Sequence, residues 1–258
     1  MFANNRPKSK FSLSDIFPLL KKAKESQKTK LKFYISYGMW KSGSTYAFEL
    51  TKAMFMKNGY LQPRLSDRAV ESGHNINFVC DWTATQLNAI LNEVEKHNTI
   101  IVIKTHRSPS SEVIKLLDSD LAVGHAVYRD PRDIALSLLD AGKMAREKGY
   151  KAFSDIHNLD DAVKRIKKQI KIFQQWVDLN NIRPIAYHDF TQKPLKLASL
   201  VSEQTDLIPY QIEDAEKIKQ SRFIQFNKGK QNRYQTEMSK SEQEKIRKYF
   251  QVFYESFI

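Results

Sequence analysis

The sequence predicts an α/β fold built on a central, mostly parallel β-sheet flanked by helices, and three observations predict it. From residue 31 onward, short strand-like runs alternate with longer stretches of helical periodicity. One of these runs, Thr99-Ile100-Ile101-Val102-Ile103-Lys104, is almost continuously apolar and β-branched, as a strand buried on both faces requires. The segment 31–55 reads as strand, glycine-bearing turn and helix, an arrangement that presents a helix N-terminus beyond a strand end.

The elements follow in order. Residues 1–30 are polar and basic around a short apolar stretch, Phe11 to Leu20, and read as an N-terminal basic arm or peripheral helix. Residues 31–258 read as one domain, long enough for a full sheet with helices on both faces. The first strand is expected at Leu31–Ser36, with a helical pattern from Ala47 to Phe55. The second strand is the run at 99–104. The third, Leu121–Tyr128, is weakened by Gly124, and the fourth, Ile182–Tyr187, carries Pro184 near its start. Helices are expected at about 83–97, 130–148, 159–180, 193–204 and 239–256. No internal repeat, low-complexity tract or linker divides the domain.

Composition narrows the function. Hydrophobic residues make up 41% and charged residues 28%, as in a folded soluble protein. No apolar run has the length of a membrane span, and no signal-like segment opens the chain, so a cytoplasmic setting is expected. The single cysteine, Cys80, has no intrachain partner, and no Cys/His cluster suggests a metal site. The formal net charge of +13 raises a nucleic-acid reading. Its densest clusters, Lys21 to Lys32 and Lys164 to Lys168, lie on amphipathic helical patterns, where solvated faces are expected. No nucleic-acid motif accompanies them, so no nucleic-acid partner is expected. A basic surface equally suits a strongly anionic small substrate.

The stretch Tyr37-Gly38-Met39-Trp40-Lys41-Ser42-Gly43-Ser44-Thr45-Tyr46 carries the sharpest chemical signal. Gly38 and Gly43 have the G-x-x-x-x-G spacing of a nucleotide P-loop, and Thr45 stands where that motif has Ser or Thr. Ser44 occupies the lysine position, and a lysine appears earlier, at Lys41. An ordinary turn with an N-cap would use the same residue types. The K-S-G-S-T order resembles the 5′-phosphosulfate loop of sulfotransferases that use 3′-phosphoadenosine 5′-phosphosulfate (PAPS), which reads roughly P-K-S-G-T-T-W. Trp40 stands where that family has proline, and Tyr46 where it has tryptophan.

Three further segments extend the resemblance in the family's order. The second strand runs into Lys104-Thr105-His106, similar to the K-T-H that carries the catalytic histidine in cytosolic sulfotransferases. The third ends in Tyr128-Arg129-Asp130-Pro131-Arg132-Asp133-Ile134-Ala135-Leu136-Ser137, similar to the 3′-phosphate motif R-[ND]-P-[KR]-D-x-x-x-S. There a guanidinium able to form paired hydrogen bonds precedes a helix that Asp130 caps and Pro131 begins. Phe226-Asn227-Lys228-Gly229-Lys230 resembles the family's R-K-G loop, with Asn227 for its arginine. Tyr187-His188-Asp189-Phe190 resembles its Y-E-D-[LM] stretch; Tyr187 reads equally as a nucleotide contact or a core ring.

The resemblance implies a P-loop-NTPase-like sulfotransferase fold and transfer of a sulfuryl group from PAPS to a hydroxyl or amine, with adenosine 3′,5′-bisphosphate (PAP) as product and no metal. It implies His106 as base, Lys41 on the leaving 5′-phosphate and Lys104 on the transferring group. Ser42, Gly43, Ser44, Thr45 and Tyr46 would form the 5′-phosphate loop. Arg129 and Ser137 would bind the 3′-phosphate, with Tyr187, Asn227, Lys228 and Gly229 completing the nucleotide site. A small-molecule acceptor, as in natural-product tailoring, is expected, and a homodimer is compatible with this reading. Asp81, Trp82 and Glu49 stand as acceptor-pocket candidates against packing or surface roles. The alternatives are a carbohydrate or lipid acceptor, a P-loop kinase or other NTPase, and a basic nucleic-acid-binding module on an inactive nucleotide fold.

Overall fold

The computed structural model describes residues 30–65, 77–79, 82–220 and 229–258, so the expected arm lies outside the described residues apart from Lys30. The first apolar run forms β1 (Phe33–Gly38), buried along its whole length. It lies between β2 (Ile101–Thr105) and β3 (Ala122–Tyr128), and β3 pairs in turn with β4 (Ile182–Ala186). Every pairing in this four-stranded sheet is parallel, as the buried apolar runs predict. β1 is bonded on both sides and runs two residues further than its apolar pattern suggests, because its register with β3 continues to Gly38.

Side-chain alternation along β1 divides the core between the two sheet faces. Tyr34 faces a layer formed by α1 (Ser44–Lys57), α6 (Tyr187–Gln192), α7 (Leu195–Thr205) and α8 (Ile212–Lys219). Phe33, Ile35 and Tyr37 face α2 (Ala84–His97), α3 (Ser111–Asp118), α4 (Pro131–Lys148) and α5 (Leu159–Val177). After α9 (Tyr234–Glu237), the chain closes this second layer with α10 (Lys240–Tyr249) and α11 (Gln251–Phe257).

Several expectations shift in detail. The helix expected over 239–256 breaks at Phe250 (φ −115°, ψ 31°) into α10 and α11. The helix expected to reach residue 180 stops at Val177, because Leu179 and its neighbours turn the chain into β4. α3, α6, α8 and α9 span too few turns for helical periodicity to reveal them. Gly124 serves close approach: a Cβ there would lie 2.2 Å from the Ile35 carbonyl oxygen of β1. At the start of α4, Asp130 accepts from the Arg132 N–H at 2.8 Å and Pro131 takes the first helical position, as the sequence predicts.

A polar chain crosses the interior of the α1 layer. Gln204 Nε2 donates to the carbonyls of Gly124 (2.9 Å) and Asn181 (3.2 Å), so its Oε1 accepts from the Tyr34 hydroxyl at 3.0 Å. Tyr34 then accepts from His125 Nδ1 (3.2 Å), which leaves Nε2 to accept from the Ser36 hydroxyl at 2.9 Å. Each of these groups has a partner, which is what lets them sit in the core. His125 is fully buried, and that burial lowers its pKa to about 3, so the ring is neutral.

Candidate active site

All four strands point their carboxyl ends in one direction, and the strand order reverses at β1, with β2 on one side and β3 on the other, which is where open α/β sheets bind ligands. The turn after β1 carries Lys41 in a left-handed conformation (φ 64°), followed by Gly43 (φ 78°) at the N-terminus of α1. A non-glycine residue held there is strained, a feature that concentrates at functional sites. Gly43 meets a second demand: an added Cβ would lie 2.7 Å from the Tyr187 ring.

The loop's hydrogen bonds separate its donors. Ser42 N–H and its hydroxyl both turn inward to the Met39 carbonyl, at 3.3 and 2.6 Å. Tyr46 N–H is taken by Gly43 O at 2.9 Å. Gly43, Ser44 and Thr45 N–H groups carry no hydrogen bond among the described residues, so they remain to receive an anion at the positive end of α1. The Tyr46 ring lies in the core beside Phe190 and its hydroxyl donates to Ala215 O at 3.3 Å. Its side chain is therefore a core element, and the loop's open N–H donors end at Thr45.

β2 delivers two further groups. Lys104 is 5% exposed, and its ammonium donates to Thr45 Oγ1 at 2.7 Å. Burial lowers its pKa to about 8, against the opposing pull of the Glu49 carboxylate. His106, just past the strand, donates from Nδ1 to the Gly38 carbonyl at 2.5 Å. A carbonyl can only accept, so this bond places the ring hydrogen on Nδ1 and the lone pair on Nε2. The Phe78 ring packs on His106 (centroids 5.4 Å apart), and Lys104 Nζ lies 5.9 Å from the same ring.

Arg129 follows directly on β3 and is 8% exposed. Its guanidinium donates to Asp133 (2.9 Å), Lys230 O (2.8 Å) and Lys41 O (3.3 Å), and stacks 4.2 Å from the centre of the Tyr187 ring. Its Nε is buried without a hydrogen-bond partner among the described residues. Tyr187, from the end of β4, thus lies between Gly43 and Arg129 and joins the loop after β1 to the arginine. Ser137 is buried on α4. Gly229 is exposed with φ 63°, and Asn227 and Lys228 lie outside the described residues.

Three contributors lie outside the expected site residues: Gln169 and Phe153 carried no sequence signal, and Asp133 stood only as a motif position without a role. Asp133 accepts from Asn232 N (3.0 Å) and Tyr234 N (3.4 Å) as well as Arg129, tying the C-terminal segment to the arginine. Gln169, buried on α5, accepts from Trp40 N–H at 3.1 Å. A proline at position 40 would have no such N–H to offer. Phe153 (φ 67°) lies edge-on to Trp40 at 5.7 Å and 5.4 Å from Lys41 Nζ. Burial and the nearby Arg129 charge lower the Lys41 pKa, and Asp140 opposes them. Of the acceptor-pocket candidates, Trp82 is buried in the core, Glu49 pairs with Lys52 at 3.3 Å, and Asp81 lies outside the described residues. Among the described residues, no group of three or more His, Cys, Asp or Glu side chains is placed to hold a metal ion. No helix among them is long and apolar enough to cross a membrane.

No protein-family model matches the sequence, and no curated protein matches it. Solved structures do match the fold. Mouse sulfotransferase SULT7A1, complexed with PAP, aligns over 90% of this chain and 87% of its own, with a TM-score of 0.56 and 11% identity. Retinol dehydratase in complex with androsterone and the inactive cofactor PAP aligns over 92% of this chain and 85% of its own, with a TM-score of 0.50 and 14% identity. The parallel order β2-β1-β3-β4 with helices on both faces, together with these alignments, gives this chain the sulfotransferase fold.

Proposed function

We propose that the protein is a PAPS-dependent sulfotransferase acting on a hydroxyl or amine of a small-molecule acceptor. The observation that carries this reading is the meeting, at the carboxyl ends of adjacent strands, of Lys41 and its open N–H groups, Lys104 with His106, and Arg129. The donor set suits a nucleotide with phosphates at two positions: backbone N–H groups open among the described residues and two lysines on one side, and the Arg129 guanidinium on the other.

Bound there, PAPS supplies a sulfuryl group joined to a 5′-phosphate leaving group. His106 takes the acceptor's proton on Nε2 while the bond from acceptor oxygen or nitrogen to sulfur forms and the bond from sulfur to the phosphate oxygen breaks. Lys41 offsets the charge that builds on that departing oxygen, where a preformed cation needs no reorganisation. Lys104, held by Thr45, steadies the transferring group, and the N–H groups of Gly43, Ser44 and Thr45 hold the 5′-phosphate. Arg129 holds the 3′-phosphate, stacked on Tyr187. Ser137 and the segment around Lys228 and Gly229 complete that end.

The test is incubation with PAPS and a panel of phenols, alcohols, amines and sugars, read by mass spectrometry as gain of one sulfuryl group with matching release of PAP. Absence of both transfer and PAP binding sinks the proposal.

A further inference from the structure

α5 lies across the sheet from the phosphate loop's helix and contributes no group to the chemistry proposed above. Three of its residues, Gln169, Phe173 and Trp176, are spaced to share one face of a helix, and all three are buried. Each touches a residue adjacent in sequence to a site residue. Gln169 Oε1 accepts from the N–H of Trp40, next to Lys41, at 3.1 Å. The Phe173 ring lies 5.4 Å from that of Tyr128, next to Arg129. Trp176 Nε1 donates to the carbonyl of Arg107, next to His106, at 2.7 Å.

We infer that α5 is a brace that sets Lys41 and His106 at their working separation, with Gln169 and Trp176 as its positioning residues. Both ties are side-chain hydrogen bonds to loop backbone, made where the chain leaves a strand and no ladder fixes it. One turn before Gln169 on the same face, Arg165 adds its guanidinium, 5.1 Å from the Trp40 ring. One helix therefore ties both loops, and a misplacement of about 1 Å in a reacting group costs up to about 10²-fold in rate. What the two groups accomplish rests on the sulfuryl-transfer reading; the brace itself rests on the hydrogen bonds.

Gln169→Met removes one tie at nearly constant size, and Trp176→Phe removes the other while keeping an aromatic ring in the core. Three quantities are compared with wild type: PAP affinity, kcat for transfer from PAPS to 4-nitrophenol, and amide exchange at Trp40 and in residues 106–108. Each variant should lose kcat by about tenfold, the size of one hydrogen bond, with PAP affinity held within about twofold. Amide exchange should quicken at Trp40 in Gln169→Met and in residues 106–108 in Trp176→Phe. Gln169→Glu keeps an acceptor oxygen and should restore Trp40 protection, which separates the tie from simple packing if Gln169→Met folds poorly. Unchanged exchange in both loops overturns the brace, as does quickened exchange with unchanged kcat. A wild type that neither binds PAP nor transfers sulfuryl refutes the sulfotransferase reading instead, and the exchange comparison then decides whether α5 holds the loops.

Discussion

His125 and His106 stand on the two strands that flank β1, and their surroundings set them to opposite tasks. His125 lies within β3, with both ring nitrogens committed in a closed chain from Ser36 to Gln204, and burial holds it neutral. His106 lies one residue beyond β2, with Nδ1 committed to Gly38 O and its ring against Phe78. Each bond has a definite direction, yet only the second presents a ring nitrogen at the end of the sheet where Lys41, Lys104 and Arg129 gather. A histidine inside a strand is absorbed into the sheet's polar interior; one just past the strand's end is oriented by the backbone toward the site, and the proposed reaction makes it the base.

Substitutions sharpen that contrast. His106→Ala should lower turnover by about 10²–10⁴-fold, the usual worth of a positioned base, and leave PAP affinity within about twofold. Near wild-type turnover would move the base elsewhere. Arg129→Ala should weaken PAP binding by roughly 10–100-fold, from loss of charge-assisted hydrogen bonds to a phosphate; calorimetry showing an unchanged Kd would remove Arg129 from the nucleotide site. His125→Leu should strand the Ser36 hydroxyl, at about 1–3 kcal/mol in denaturant unfolding, while Tyr34 keeps its bond to Gln204. Turnover per folded molecule should persist, and its loss would show that His125 has a chemical role.

Smaller effects come from pH. Burial depresses the folded-state pKa of His125 from about 6.5 to about 3, so between those values the unfolded chain binds the extra proton. The stability this histidine allows is therefore full above about pH 6.5 and falls as pH drops toward 3, by at most about 1.4 kcal/mol per pH unit. His125→Leu should flatten that slope in acid unfolding curves. Lys104, with its pKa lowered to about 8, should lose its charge as pH rises past that value. PAP affinity should weaken over the same range, and Lys104→Met should remove that dependence.

The sheet and the strand-end motifs were legible in the sequence because both are local. An apolar β-branched run such as Ile100–Ile103 states its own burial, and Lys41, Lys104, His106 and Arg129 each follow such a run. Tyr46 shows where locality misleads: it lies in the motif, but one helical turn directs its ring into the core beside Phe190. The ties made by Gln169, Trp176 and Asp133 were illegible for the converse reason. Gln169 meets Trp40 across 129 positions, and Trp176 meets Arg107 across 69. Nothing in a polar residue on an amphipathic helix announces a partner so distant. The short helices α3, α6, α8 and α9 escaped because periodicity needs more turns than they possess.

The most direct test of the central claim is calorimetric titration of the wild-type chain with PAP in the absence of added metal, set beside an assay for Mg²⁺-dependent ATP hydrolysis. Saturable, stoichiometric PAP binding with no ATP hydrolysis is the expected result. Failure to bind PAP, together with magnesium-dependent turnover of ATP, would contradict it and return the loop at Lys41 to an NTPase reading.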